Sequence, residues 1–123
     1  MPIPRKPILA ANWKMNKGHS ETEDFLKSFL GKLSGKTFPC EIVVAPPFVS
    51  LAKAAEVLGG PKVPVQLAAQ NASQQDPGAF TGEVTMVMLK ELSLVYLLDA
   101  LTAIEMVRMR EMSWALQMVL NLE

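Results

Sequence analysis

The sequence predicts an α/β fold with a parallel sheet. Short apolar runs alternate with amphipathic helical stretches in the order β-α-β-α-β-α-β. The apolar runs are continuous rather than alternating, which marks strands buried on both faces and a sheet covered by helices. All seven glycines and all nine prolines lie at or before Gly82, so turn residues punctuate this rhythm and then stop. An open doubly wound sheet and a (β/α)8 barrel both satisfy the pattern at this level.

Ile8-Leu9-Ala10-Ala11 is the first strand, and residues 12–18 form a polar loop ending in glycine. Ser20 and Glu23 have the spacing of a capping box, in which both side chains satisfy free N–H groups at a helix start. Phe25, Phe29 and Leu33, with Leu26 and Leu30 beside them, make one apolar face, so a helix is expected over 21–33. Residues 41–45 (Glu-Ile-Val-Val-Ala) form the second strand, closed by Pro46-Pro47, which cannot continue a ladder. Residues 50–58 carry Leu51, Ala54, Ala55 and Leu58 on a helical face that Gly59 ends. Residues 65–69 are the third strand. Residues 70–82 are a polar loop, long for a strand-to-helix connection. A helix over 83–92, with Val84, Val87, Met88 and Leu92 apolar, leads to a fourth strand over 94–98.

After Leu98 the style changes. Four of the eight methionines fall in the last 18 residues, and strong helix formers predominate without any turn residue. Residues 99–123 are expected to form a helical tail with a poorly defined apolar side.

Composition narrows the function classes. With 123 residues and 50% hydrophobic side chains the chain can bury a core of one ordinary domain. Twelve basic and twelve acidic residues cancel, so the basic excess of a nucleic-acid surface is missing. No apolar run approaches the roughly 18 residues of a membrane span, and the N-terminal charges are not followed by the apolar stretch of a signal peptide. The expectation is a soluble cytoplasmic protein. One cysteine fits a reducing compartment. One cysteine and one histidine at distant positions cannot make a metal cluster. Neither a GxGxxG nor a Walker A motif occurs.

Active sites of parallel α/β folds lie beyond the C-terminal strand ends. Asn12 and Lys14 follow the first strand and alternate across Trp13, so an extended backbone would aim both the same way. A lysine there either holds an anion such as a phosphate or is a solvated loop lysine. Gln70 and Asn71 follow the third strand, then Gly78-Ala79-Phe80-Thr81-Gly82-Glu83. Glycines around Phe80 and Thr81 indicate a shaped loop tip, whose phenylalanine either meets a partner or folds back into its own core. His19 reads as a surface residue at a helix start. Cys40 opens the second strand at the end away from the site, so structural burial fits it better than nucleophilic use.

Four motifs in order carry a family resemblance: Ala11-Asn12-Trp13-Lys14-Met15-Asn16-Lys17, Val43-Val44-Ala45-Pro46-Pro47-Phe48, Ala68-Ala69-Gln70-Asn71 and Gly78-Ala79-Phe80-Thr81-Gly82-Glu83. Together they resemble triosephosphate isomerase over residues 8–98, less than half of a family member of about 250 residues. The resemblance implies an incomplete TIM (β/α)8 barrel of four parallel βα units' worth of strands, with residues 1–98 as its N-terminal half and 99–123 as a non-matching helical tail. It implies an isomerase of glycolysis and gluconeogenesis that interconverts dihydroxyacetone phosphate and glyceraldehyde 3-phosphate through an enediol, with neither cofactor nor metal. Asn12 and Lys14 match the family's substrate-binding and catalytic asparagine and lysine, the lysine contacting the phosphate and stabilising enediolate charge. The segment from Gly78 to Glu83 matches the loop that enters the neighbouring subunit of a homodimer. By that match Phe80, Thr81, Gly82 and Glu83 are interface residues, and Met15 lies in the receiving surface.

The sequence also departs from the family. The fourth strand of the family leads into Gly-His-Ser-Glu-Arg-Arg, whose histidine polarises the substrate carbonyl. Here Leu98 is followed by Asp99-Ala100-Leu101-Thr102-Ala103-Ile104. The family's glutamate base, on a lid loop after strand six, lies beyond the length of this sequence. The expectation is a family product inactive by itself. The alternative is non-catalytic: a truncated or frameshifted product, or a half-barrel interaction module. Four strands leave two edges and an uncovered inner face, which predicts marginal stability and self-association. With suitable codons, Leu98 to Ile104 read two bases on encode Gly-Arg-Ser-Asp-Arg-His, three of six matching the family motif. Sequencing the coding DNA tests the slip: another frame across codons 98–123 should resemble the family, and its failure to do so removes the idea.

Overall fold

A computed structural model of the chain describes residues 6–59 and 63–92, and the backbone of 96–97. Seven elements follow in order: β1 Ile8–Asn12, α1 His19–Leu33, β2 Glu41–Ala45, α2 Phe48–Leu58, β3 Val65–Ala69, α3 Met86–Lys90 and β4 Tyr96–Leu97. All strand pairs are parallel, in the spatial order β1-β2-β3-β4. The α/β fold with a parallel sheet is therefore as expected, while the expected helical tail over 99–123 lies outside the described residues.

Alternation along the strands divides the sheet into two faces. Ala11, Ile42, Val44, Val65, Leu67 and Ala69 pack with Leu26, Phe29 and Leu33 of α1 and Leu51, Ala54 and Leu58 of α2. The register aligns Ala11 with Val44 and Val44 with Leu67, so one row of apolar side chains meets the helices. The other face carries Ala10, Val43, Ala45 and Ala68. All four are buried, so at these positions the face is not uncovered as expected. Three of the four are alanines, whose one methyl leaves little area to cover.

The helix starts depart from the capping-box expectation. Gly18, in extended backbone, is the N-cap of α1, and its carbonyl accepts both the N–H and the hydroxyl of Thr22, at 3.0 and 2.7 Å. Starting the helix at His19 puts Ser20 inside it, where its hydroxyl makes no cap. Glu23 turns outward to Lys27 (2.6 Å) and Lys53 (3.7 Å). The Lys27 hydrogen bond and charge, then the charge of Lys53, hold its carboxylate below the ordinary value. The helix α2 ends at Gly59, which adopts φ 68° and donates to the Ala55 carbonyl, a conformation suited to a residue without Cβ.

The third helix is shorter than expected, and its fully buried residue is Leu89. Thr85 is buried in extended backbone and accepts the Met88 N–H at 3.2 Å, so it caps the helix and excludes residues 83–85 from it. The Val84 carbonyl accepts from Ser73 N–H instead. From Met86 onward the phase set by this cap turns Leu89 into the core and leaves Val87 and Met88 more than half exposed. Of the four apolar residues expected in this helix, Val84 and Leu92 pack against the core, while Val87 and Met88 face outward.

These packing differences lead to a direct comparison. Leu26→Ala opens a cavity beneath a fully buried side chain and should cost about 2–5 kcal/mol in a urea melt. Val87→Ala should change stability by less than about 0.5 kcal/mol. A large loss at Val87 would show that α3 packs in the other phase.

Candidate functional site

Because the strands are parallel, the exits of β1, β2 and β3 share one end of the sheet. The first exit is built around Trp13. Its side chain is 1% exposed, and its N–H donates to the Ala45 carbonyl at 3.1 Å, extending the β1–β2 ladder one residue beyond Asn12. The indole meets Phe25 of α1 edge to face, with centroids 5.3 Å apart, and Phe25 stacks on Phe29 at 5.6 Å. Each aromatic pair of this kind adds about 0.5–1.5 kcal/mol beyond its buried area.

The backbone turns directly after this anchor. Lys14 has φ 55° and Lys17 has φ 68°. The expected extended passage through Lys14 is therefore corrected: the strand ends at Asn12 because the next turn is left-handed. Non-glycine residues in this region cost on the order of 1–3 kcal/mol and persist only where surrounding contacts over-determine them. Those contacts are explicit here. The Asn12 Oδ1 accepts the Lys14 N–H at 2.9 Å, an Asx turn. Asn16 Nδ2 donates to the Trp13 carbonyl at 2.8 Å. Two side chains from later units complete the loop. Gln70, just beyond β3, donates from Nε2 to the Lys14 carbonyl at 2.9 Å and to the Ala45 carbonyl at 2.8 Å. The buried Ser50 hydroxyl of α2 donates to the Lys17 carbonyl at 2.7 Å. The Lys17 ammonium lies 4.9 Å over the Phe25 ring.

The Asn12 side chain and the Lys14 backbone thus meet on a turn tied to β2, β3 and α2. Lys14 is exposed, and an ammonium on such a turn provides a point charge for an anion. Met15, beside it, is 94% exposed. Sequence reasoning noticed Gln70 without giving it a role and passed over Ser50. Gln70 was legible as the polar residue closing an apolar strand; Ser50, in the first turn of an amphipathic helix, carried no such signal.

The second part is the loop after β3. Phe80 N–H donates to the Gly78 carbonyl and the Phe80 carbonyl accepts from Glu83 N–H, while Gly82 adopts φ 81°. The Phe80 ring folds over Gly78, so close that a Cβ there would meet it at 3.4 Å, yet it remains 50% exposed. It reaches neither the sheet core nor the Asn12–Lys14 turn: the loop folds on itself. Thr81, Gly82 and Glu83 are exposed at its tip.

The remaining candidates are peripheral. His19 is exposed at the first residue of α1, and Cys40 is half-buried beside the core, as their positions indicated. Among the described residues no three metal-ligating side chains cluster, and no helix is long and apolar enough to cross a membrane. A groove of about 590 Å³ lies at the opposite end of the sheet, between Lys36, Phe38, Glu41, Ile42, Pro64 and Gln66. It is at the strand starts, away from the end where parallel α/β folds place their chemistry.

Comparison with known proteins agrees with this geometry. The family model described as Triosephosphate isomerase matches residues 7–98. A triosephosphate isomerase of Alkaliphilus metalliredigens is 45% identical over 94 residues, covering 76% of this chain and 36% of the relative. One of Symbiobacterium thermophilum is 46% identical over the same length and shares. The crystal structure of triosephosphate isomerase from Bartonella henselae aligns with a TM-score of 0.65 at 31% identity, over 76% of this chain and 37% of that one. The chain spans about a third of the length of the curated relatives it matches.

The left-handed turn makes a prediction that needs no ligand. Lys14→Gly relieves the Cβ clash at φ 55° and should raise stability by about 1 kcal/mol in urea titration. A loss of stability instead would mean that Lys14 is not held left-handed.

Proposed function

The chain belongs to the triosephosphate isomerase family, and we propose that it carries the phosphate-recognition part of that family's active site. Lys14 is the anion contact, and Asn12 orders the turn that presents it. The observation supporting this is the Asn12–Lys14 Asx turn, set left-handed at the exits of parallel strands and clamped by Gln70. The substrate class is a small phosphorylated triose. In the family's reaction a proton moves between neighbouring carbons of dihydroxyacetone phosphate and glyceraldehyde 3-phosphate, and charge develops on the enediolate oxygens. A fixed ammonium stabilises that charge more than the neutral ground state, which is what accelerates a step.

The reading assigns binding to this chain and withholds turnover. In the sequence no histidine follows the fourth strand to supply the family's carbonyl-polarising group. General acid–base groups each contribute about 10²–10⁴-fold, so a site without its electrophile retains little of the rate. Four parallel strands correspond to half of an eight-stranded barrel, and the half barrel is the architecture we assign to residues 1–98.

Self-association belongs to the same proposal. Met15, Phe80, Val87 and Met88 are each at least half exposed, more apolar surface than a site for a triose phosphate uses. The family's homodimer gives that surface an occupant: the loop carrying Phe80, Thr81, Gly82 and Glu83 would enter the neighbouring subunit near its Asn12, Lys14 and Met15. A cytoplasmic location accompanies a glycolytic substrate.

The test uses chain purified away from host isomerase. Dihydroxyacetone phosphate should bind the wild type and fail to bind Lys14→Ala, followed by amide chemical shifts. A coupled isomerase assay should show no rate above the Lys14→Ala control. Binding that survives Lys14→Ala overturns the phosphate assignment, and turnover that depends on Lys14 overturns the separation of binding from catalysis.

A further inference from the structure

Both left-handed lysines of the β1 exit share one device. Lys14 and Lys17 have positive φ, and the carbonyl of each accepts a hydrogen bond from a side chain of a later βα unit, Gln70 for Lys14 and Ser50 for Lys17. A residue at positive φ is displaced from its preferred backbone well, so fixing its carbonyl restricts the return path. Gln70 does more than Ser50, because its one amide nitrogen bridges the Lys14 carbonyl and the Ala45 carbonyl. Ala45 O also accepts the Trp13 N–H. One carbonyl at the end of β2 is therefore the meeting point of β1's exit and β3's exit. The amide orientation is settled by chemistry: both partners are carbonyls, so only the NH₂ end satisfies them.

We infer that Gln70 is a positioning residue for Lys14: by holding the Lys14 carbonyl against the end of β2, it keeps this lysine left-handed and its ammonium in the place that receives a phosphate. The phosphate half of the inference rests on the function proposed above, and the backbone half does not. Gln70 itself touches no substrate in this account. Its two hydrogen bonds are both to backbone, and its influence passes through one torsion.

The informative substitution is Gln70→Met, which keeps the length and shape and removes both donors. The control is Gln66→Met, four residues earlier on the same face of β3. Three quantities separate the possibilities. In the full chain, Lys14 should show the strong intraresidue amide-to-Hα Overhauser effect of a positive-φ residue, and Gln70→Met should weaken it where Gln66→Met does not. The destabilisation by Gln70→Met should be smaller in a Lys14→Gly background, because glycine adopts the turn unaided. Coupling of about tenfold in the unfolding equilibrium is within the range for contacting residues. This background also keeps the chain folded if the single variant is too unstable to study. Finally, the dissociation constant for dihydroxyacetone phosphate should rise about tenfold in Gln70→Met and stay unchanged in Gln66→Met. Equal destabilisation in both backgrounds, or an unaltered Lys14 signature, overturns the role of Gln70. An altered signature and coupling with no phosphate binding by the wild type leaves Gln70's hold on Lys14 standing and overturns the phosphate reading alone. Binding by the wild type that Gln70→Met leaves intact overturns the link between the two.

Discussion

The burial of Trp13 is the constraint on which the rest of the site depends. Its neighbours Asn12 and Lys14 must stay at the polar end of the sheet, while its indole must leave water and its backbone N–H must find an acceptor. The Ala45 carbonyl supplies the acceptor and Phe25 supplies the ring contact. With Trp13 pinned to both β2 and α1, Lys14 follows in a left-handed turn. That conformation comes directly after a large aromatic residue anchored one position past a strand end. Its cost is offset by the hydrogen bonds that Asn12, Gln70 and Ser50 make to backbone groups of the same loop.

Cooperation among consecutive βα units follows from this arrangement. Unit one contributes the lysine and the asparagine. The second contributes the Ala45 carbonyl and the Ser50 hydroxyl, and the third contributes Gln70. Membership of the triosephosphate isomerase family and the local geometry support the site proposed at the strand exits. Neither the 590 Å³ groove at the opposite end nor the lone cysteine competes with that assignment. The 94 aligned residues make up 36% of a relative. The Asn12–Lys14 turn is local to three strand exits. The family's catalytic cycle draws on groups from more distant strands.

The β-strands were legible for a physical reason. A strand buried on both faces must be apolar at every position, and runs such as Ile42-Val43-Val44-Ala45 have no other economical reading in a short chain. Helix α1 was legible through its four-residue spacing of Phe25, Phe29 and Leu33. The capping box was misread because Gly18 rather than Ser20 caps the helix, and Glu23 turns outward to Lys27 and, more distantly, Lys53. Helix α3 was read as starting at Glu83, whereas the buried Thr85 caps it and it begins at Met86.

By itself the sequence determined the parallel α/β class, the order of its elements and the family. Each of these depends on residue types and spacings within short windows. Only the tertiary structure decided that Lys14 is left-handed, that Phe80 folds over its own Gly78, and that Gln70 joins three strand exits. The Gln70 contacts span 25 and 56 residues along the chain, a separation at which no local pattern carries information. What brings them together is the packing of the sheet itself.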